Sequence, residues 1–277
     1  MAPCGEPVHR RGVMRTENID ARADGAVATV TLTRPHRLNA LSRATLIDLA
    51  AAARWCDAHK DVKVVVVTGE GSSFSAGFDL ADFASPDPEY SVRDTADLGR
   101  VMAETVTNMR AVTIAAIDGH CVGGGLVLAA ACDLRIATES ATFRIPEVDL
   151  GIPLAWGGIP RLVREIGPAL TKELVLTCRP FSAEEARSIG FVNTVVPSDA
   201  LSRAMALATS LSDKPGYALR TTKQQVNAVT EEMIGTARNA ADADALVFAT
   251  YDAESRAASA KYLSRKANAT NKKDDES

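Results

Sequence analysis

Residues 112–137 read VTIAAIDGHCVGGGLVLAAACDLRIA, and this stretch decides the fold class. Its opening VTIAAI is continuously apolar or β-branched and too short for a buried helix, so it predicts a buried strand that stops at Gly119. Gly123, Gly124 and Gly125 then lead into an Ala/Leu/Val run that predicts a buried helix. Residues 134–137 predict the next strand. Strand, glycine turn, buried helix and strand in direct succession imply an α/β fold.

The flanks extend the same pattern. In 26–33 the even positions Ala26, Ala28, Val30 and Leu32 are apolar with threonines between them, which predicts a half-buried strand ended by Arg34-Pro35. Residues 62–68 (VKVVVVT) predict a buried strand, and 191–196 a further one. Leu98, Val101, Met102, Thr105, Val106 and Met109 make one helical stripe, and Leu46, Ile47, Leu49, Ala50 and Ala53 make another after Ser42. Ser182-Ala183-Glu184-Glu185 predicts a capping box, with Glu185 reaching back to its cap, and Gly190 closes that short helix. Beyond Pro197 strand signals vanish and 198–266 reads as helix throughout. The expected division is a flexible arm over 1–16, an α/β core over 17–197, a helical region over 198–266 and a disordered tail over 267–277. No repeat of fixed sequence period is evident.

Composition narrows the function classes. The chain has 277 residues, 46% hydrophobic and 24% charged, with a formal net charge of -4. These values are those of a globular protein and argue against a broad basic face for nucleic acid. Lys266, Lys272 and Lys273 are offset by Asp274, Asp275 and Glu276. The five cysteines, Cys4, Cys56, Cys121, Cys132 and Cys178, show no paired spacing, which suits free thiols in a reducing cytosol. The opening MAPCGEPVHRRGVMRT lacks the apolar segment of a signal peptide, and the longest apolar stretch, 126–132, is far too short to span a membrane. A soluble cytoplasmic protein without membrane or nucleic-acid partners is expected.

The chemistry-bearing segments are few. There is no HExxH, the four histidines share no ligand spacing, and neither a GxSxG elbow nor a GxxxxGK[ST] loop occurs, so no metal site is expected. Gly69-Glu70-Gly71 opens an apparent GxGxxG, but the sixth position is Phe74. Two glycine-bearing segments follow predicted strands, SFSAGFDL (73–80) and GHCVGGGLVL (119–128). A glycine triplet entering a helix presents unpaired N–H groups with the helix dipole behind them, which makes an anion site of backbone. Small residues that merely let the helix pack tightly against a neighbour would read the same way.

FSAGFDL near 77, GHCVGGGLVLAAACDLRIA near 125 and FRIPEVDLGIPLAWGGIPRL (143–162) together resemble the crotonase, or enoyl-CoA hydratase/isomerase, superfamily. RPHRLNALS (34–42) and LTCRPFSAEEARSIGFVNTVVP (176–197) resemble it too, so the likeness runs from about residue 24 to 197. It implies a spiral of ββα units with a helical C-terminal region that builds a homotrimer or a hexamer. It also implies an acyl-CoA thioester substrate in fatty-acid metabolism, with coenzyme A arriving as part of that substrate and no separate cofactor. By the same resemblance, the amides of Phe78 and Gly124 form an oxyanion hole for a thioester enolate. CoA would lie along His36, Arg37 and Leu38 and against Ala76 and Leu80, with Gly77, Asp79 and Gly123 shaping the site. Lys261 and Arg265 would add phosphate contacts. Phe78 and Trp156 are bulky candidates for the acyl pocket, and either is equally readable as core.

The catalytic carboxylates depart from the hydratase pattern. Hydratases of the family hold one water between two glutamates; here the Pro-Glu member is present as Glu147, but the other position is Val127. The aspartate of the diene isomerases, eight residues beyond the glutamate, is replaced by Ala155, and Asp149 matches no catalytic position. One base suffices for a 1,3-proton shift, whereas hydration needs a base and an acid. The resemblance therefore implies a Δ3,Δ2-enoyl-CoA isomerase with Glu147 as base. The alternatives are a hydratase with an atypical second group and a non-catalytic acyl-CoA-binding protein.

Overall fold

The computed structural model describes residues 8–10, 12–79, 82, 90–236, 239 and 241–275. The strands are β1 (Val8–Arg10), β2 (Val13–Arg15), β3 (Ile19–Asp24), β4 (Val27–Leu32), β5 (Val64–Gly69), β6 (Ser73–Ser75), β7 (Val112–Ile117), β8 (His120–Val122), β9 (Leu134–Thr138), β10 (Thr142–Arg144), β11 (Phe181–Ser182) and β12 (Thr194–Val196). The helices are α1 (Arg43–Ala58), α2 (Val92–Thr107), α3 (Gly124–Ala131), α4 (Gly158–Thr177), α5 (Ala183–Ser188), α6 (Ala200–Ser212), α7 (Gly216–Met233), α8 (Asp242–Tyr251) and α9 (Ala253–Asp275).

Two sheets result. The larger runs β1-β2-β3-β4-β5-β7-β9-β12 and the smaller β11-β10-β8-β6. The first four strands pair antiparallel, and from β4 onward every pairing in the larger sheet is parallel. Each of β5-β6-α2, β7-β8-α3 and β9-β10-α4 puts its first strand in the large sheet, its second in the small sheet and then a helix. That is the expected ββα spiral. The units begin at Val64, Val112 and Leu134, so their unequal lengths erase any sequence period.

The parallel strands are apolar at nearly every position because both faces are covered. Val64, Val66, Ile114, Ala116 and Ile136 pack beneath Ala200, Ala204 and Ala208 of α6. The intervening Val65, Val67, Ala115, Ile117 and Ala137 face the main core with α1, α2 and α3. In β4 only alternate residues are buried, as the alternation predicts.

Several expectations are corrected. The arm ends earlier than residue 16, because β2 pairs with β3 and Met14 is buried. The final helix continues to Asp275 instead of yielding to a tail at 267. The strand expected over 191–196 begins only at Thr194; Phe191 and Val192 are buried by packing, not by a ladder. Helix does not run unbroken through 198–266, since α6, α7, α8 and α9 are separate. Ser182 Oγ does accept the Glu185 amide (3.1 Å), but the Glu185 carboxylate pairs with Arg179 (2.6 Å) and leaves the capping box half made. Among the described residues, no helix is long and apolar enough to cross a membrane.

Candidate active site

The segment before α1 and the SAGFD segment lie side by side. Ala76 N–H donates to Leu38 C=O (2.9 Å), Leu41 N–H to Gly77 C=O (2.8 Å) and Asp79 N–H to Leu41 C=O (3.0 Å). Leu41 and Phe78 thus form a parallel bridge. Such a bridge uses the amides on either side of Phe78, so Phe78's own N–H faces away from residue 41. On that other side stands the glycine triplet. A β-carbon on Gly77, whose φ is +88°, would lie 2.7 Å from Val122 O and 3.4 Å from Gly124 N. Only glycine allows this approach.

Gly124 is the first residue of α3, where an amide has no carbonyl one turn earlier to bond. The amide before it is occupied, as Gly123 N–H donates to Arg144 C=O (2.9 Å). All eight residues of α3 are buried, so its N-terminal dipole is little screened where the Gly124 amide emerges. Phe78 and Gly124 therefore supply two fixed amides beside one another. Oriented donors of this kind stabilise an oxyanion that develops between them, each worth roughly 2.7–4 kcal/mol of barrier.

Glu147 lies on the turn after β10, tied by bonds from Leu150 N–H and Ile152 N–H to its carbonyl (both 3.0 Å). Its carboxylate reaches Gly123, and Oε2 is buried without a hydrogen-bond partner among the described residues. Burial pushes its pKa up to about 7, against a smaller opposing pull from a backbone hydrogen bond. A carboxyl so placed exchanges a proton near neutrality.

Glu147 faces two cavities. One, of about 320 Å³, is lined by Phe78, Gly124, Val127, Ala155 and Trp156, and extends to Val92, Thr95 and Leu246. The second, of about 450 Å³, is lined by Ala76, Gly77, His120, Gly123, Arg144 and Tyr262. Phe78, Glu147 and Ile152 border both. Val127 is 1% exposed and gives the first cavity an apolar wall. The other carboxylate lining it among the described residues, Asp82, accepts from Arg43 N–H (2.6 Å). Trp156 meets Phe78 edge-on, with ring centroids 5.6 Å apart at 89°.

Phe78, Gly124, Glu147, Val127 and Trp156 thus come together around the first cavity, with Ala76, Gly77 and Gly123 around the second. His36, Arg37 and Leu38 are exposed on the single turn Pro35–Arg37 and its cap, outside both cavities, linked to them through the Leu38–Ala76 bond. Asp79 does not face either cavity; its carboxylate pairs with Arg34 (3.0 Å) and clamps the 34–40 loop to the SAGFD segment. Asp149 pairs with Arg144 (2.7 Å). Leu80 lies outside the described residues. Among the described residues no cluster of side chains could hold a metal ion.

Sequence reasoning missed three contributors. Asn39, at φ +53°, receives Arg34 N–H (3.0 Å) and donates to Glu70 and Ser73 carbonyls, fixing the loop from inside. Its signal was an asparagine directly after a Pro-containing turn, since asparagine tolerates the left-handed region. Ser259 and Tyr262 of α9, not the exposed Lys261 and Arg265, reach the second cavity. Nothing local in the sequence marks them, because the contact depends on how α9 folds back.

A ββα spiral with the amide of Gly124 at a glycine-triplet helix start, Phe78 beside it and a buried glutamate lining the same cavity is the arrangement of the crotonase fold. The chain belongs to the enoyl-CoA hydratase/isomerase family, whose model matches residues 22–271. A crotonyl-CoA hydratase of Syntrophomonas wolfei is 36% identical over 242 residues, covering 86% of this chain and 93% of that one. An enoyl-CoA hydratase structure from Bacillus anthracis aligns with TM-score 0.72 at 36% identity, over 76% of this chain and 83% of that one. An enoyl-CoA hydratase/isomerase structure from Mycobacterium paratuberculosis aligns with TM-score 0.78 at 29% identity, over 88% and 98%.

Proposed function

We propose that the protein converts a 3-enoyl-CoA to its 2-enoyl isomer with Glu147 as the single proton carrier. The observation that carries this is a buried Glu147, its Oε2 without a hydrogen-bond partner among the described residues, facing the apolar wall of Val127 in one cavity. The Glu147 carboxylate takes a proton from C2, the thioester oxygen becomes an enolate held by the Phe78 and Gly124 amides, and the same carboxyl returns the proton at C4. Exclusion of water by Val127 protects the dienolate from side reactions. Coenzyme A enters as part of the substrate, passing Ala76 and Gly77 toward His36, Arg37 and Leu38.

A second reading, enoyl-CoA hydration with another group in place of the missing carboxylate, is favoured by the hydratase names of the relatives. Purified protein incubated in parallel with a 3-enoyl-CoA and a 2-enoyl-CoA separates the two. Isomerisation with little hydration supports the first; efficient hydration sinks it. A pure acyl-CoA binder is disfavoured, because a buried carboxyl with an oxygen left unpartnered among the described residues is costly and serves no binding purpose.

The assembly we propose is a homotrimer or a dimer of trimers built through the C-terminal helices. Tyr217, Val226, Val229 and Met233 of α7 and Phe248 and Tyr251 of α8 are largely exposed, an apolar surface suited to a second copy. Light scattering on the purified protein tests this. A cytoplasmic setting is supported by the free thiols of Cys56, Cys121, Cys132 and Cys178.

A further inference from the structure

The residue that follows Ala155 is unusual for its backbone. Trp156 has φ +61°, a left-handed conformation that bulky side chains seldom adopt. Two buried or half-buried groups hold it there. Arg161, 2% exposed, donates through Nη1 to the carbonyls of Trp156 (3.3 Å) and Gly157 (3.1 Å), and Asp242 of α8 accepts from Gly157 N–H (2.9 Å). Arg161 is itself anchored through Nη2 to Thr107 at the end of α2 (3.2 Å). Strain of this sort persists only where the surroundings over-determine it, and here they fix where the indole points.

The indole enters a notch made by two glycines. A β-carbon on Gly99 would fall 1.9 Å from Trp156 Cδ2, and one on Gly124 would fall 2.3 Å from Cζ3. Gly99 sits inside α2, where glycine weakens a helix relative to alanine. Its lack of a side chain makes room for the ring. The other edge of the indole region meets Phe78. The ring therefore touches both residues whose amides face the oxyanion position, and it lines the same cavity as Glu147 and Val127.

We propose that Trp156 is a specificity-determining residue, its indole locked between Gly99 and Gly124 so that the site selects acyl groups unbranched at C3. This rests on the acyl-CoA reading above but not on the choice between isomerisation and hydration. C3 stands two bonds from the carbonyl carbon whose oxygen the Gly124 amide would hold, and the indole lies against Gly124 in the same cavity, so a C3 methyl would be set against the ring. The ring lies hard against Gly99 and Gly124 and its backbone is held by Arg161, so it has little room to yield. An extra methyl group against a rigid apolar wall is worth about 10–200-fold in discrimination.

Titration calorimetry with butanoyl-CoA and 3-methylbutanoyl-CoA, neither of which can react, tests this on the full chain. Native protein should bind the straight-chain ligand at least about tenfold more tightly. Trp156→Gly should bring the two affinities within about threefold of each other, and Trp156→Phe should fall between. Circular dichroism accompanies both variants, and Trp156→Phe decides the matter if the glycine variant fails to fold. A native protein that binds both ligands equally, or a preference unchanged in the folded variants, overturns the proposal alone. Failure of native protein to bind either ligand overturns the acyl-CoA reading and this proposal with it.

Discussion

Glu147 lies directly against Gly123: a β-carbon on Gly123 would stand 2.5 Å from Glu147 Oε1. The glycine has φ +51° and ψ -117°, a conformation closed to other residues, and its own amide is bonded to the strand that leads to Glu147. The helix start and the base are thus fitted to one another. Gly123→Ala should displace the carboxylate and strain the turn, lowering kcat by about 10²-fold or more. Steady-state kinetics beside a thermal melt checks this, and a folded variant with native kcat would separate Gly123 from the base.

Glu147→Gln removes the one carboxylate placed to move a proton in the proposed reaction, while keeping its shape. Turnover should fall by about 10²–10⁴-fold, with acyl-CoA affinity nearly unchanged. Rapid-quench turnover and calorimetry on the same preparation measure the two separately. Undiminished turnover would remove Glu147 from the mechanism.

The pH dependence follows from burial of that carboxyl. Its pKa is raised from 4.5 to about 7, so the active base form is lost as pH falls through about 7, and kcat/KM should decline about tenfold per unit below it. The effect on stability has the opposite sense. Below 4.5 both folded and unfolded forms are protonated and no penalty exists. Between 4.5 and about 7 the unfolded chain ionises first, so stability is lost as pH rises toward the folded pKa. Glu147→Gln should therefore gain on the native protein across that interval, by up to roughly 3 kcal/mol, and hold a constant lead above it. Urea unfolding of both proteins at several pH values reads the difference.

Val127→Glu places a second carboxylate in the cavity with Glu147. Hydration of crotonyl-CoA should appear or rise, and isomerisation should fall. Two carboxyls in a poorly solvated site repel, so the variant should also lose about 1–3 kcal/mol of stability near neutral pH. A spectrophotometric hydration assay with a melt at two pH values tests both parts. No hydration from a well-folded variant would mean that the wall at residue 127 does not control access of water.

Much of the fold is legible in the chain. The runs at 62–68 and 112–117 are apolar on both faces, and 26–33 alternates, because the first two lie between helical layers and the last is covered on one side only. The strands of the small sheet escape such reading. Ser73–Ser75, His120–Val122 and Thr142–Arg144 are too short to show a period of two, and they are strands by virtue of pairing with one another across long separations in the chain. Asp79 illustrates a different failure: a motif position says nothing about where its side chain turns, and here Arg34 captures it.

The order of the glycine triplet, the Pro-Glu pair and the valine at 127 is fixed by the chain alone, since local composition decides where a helix starts and which side chains are available for proton transfer. Tertiary structure decided the rest. It brought Gly123 against Glu147, turned the Phe78 amide away from Leu41, and laid Ser259 and Tyr262 beside the second cavity. It also set the indole of Trp156 between glycines from two different helices. Each of these joins residues far apart in sequence. Their distances depend on how layers pack, and burial, which raises the Glu147 pKa, is a property of that packing and of no single segment.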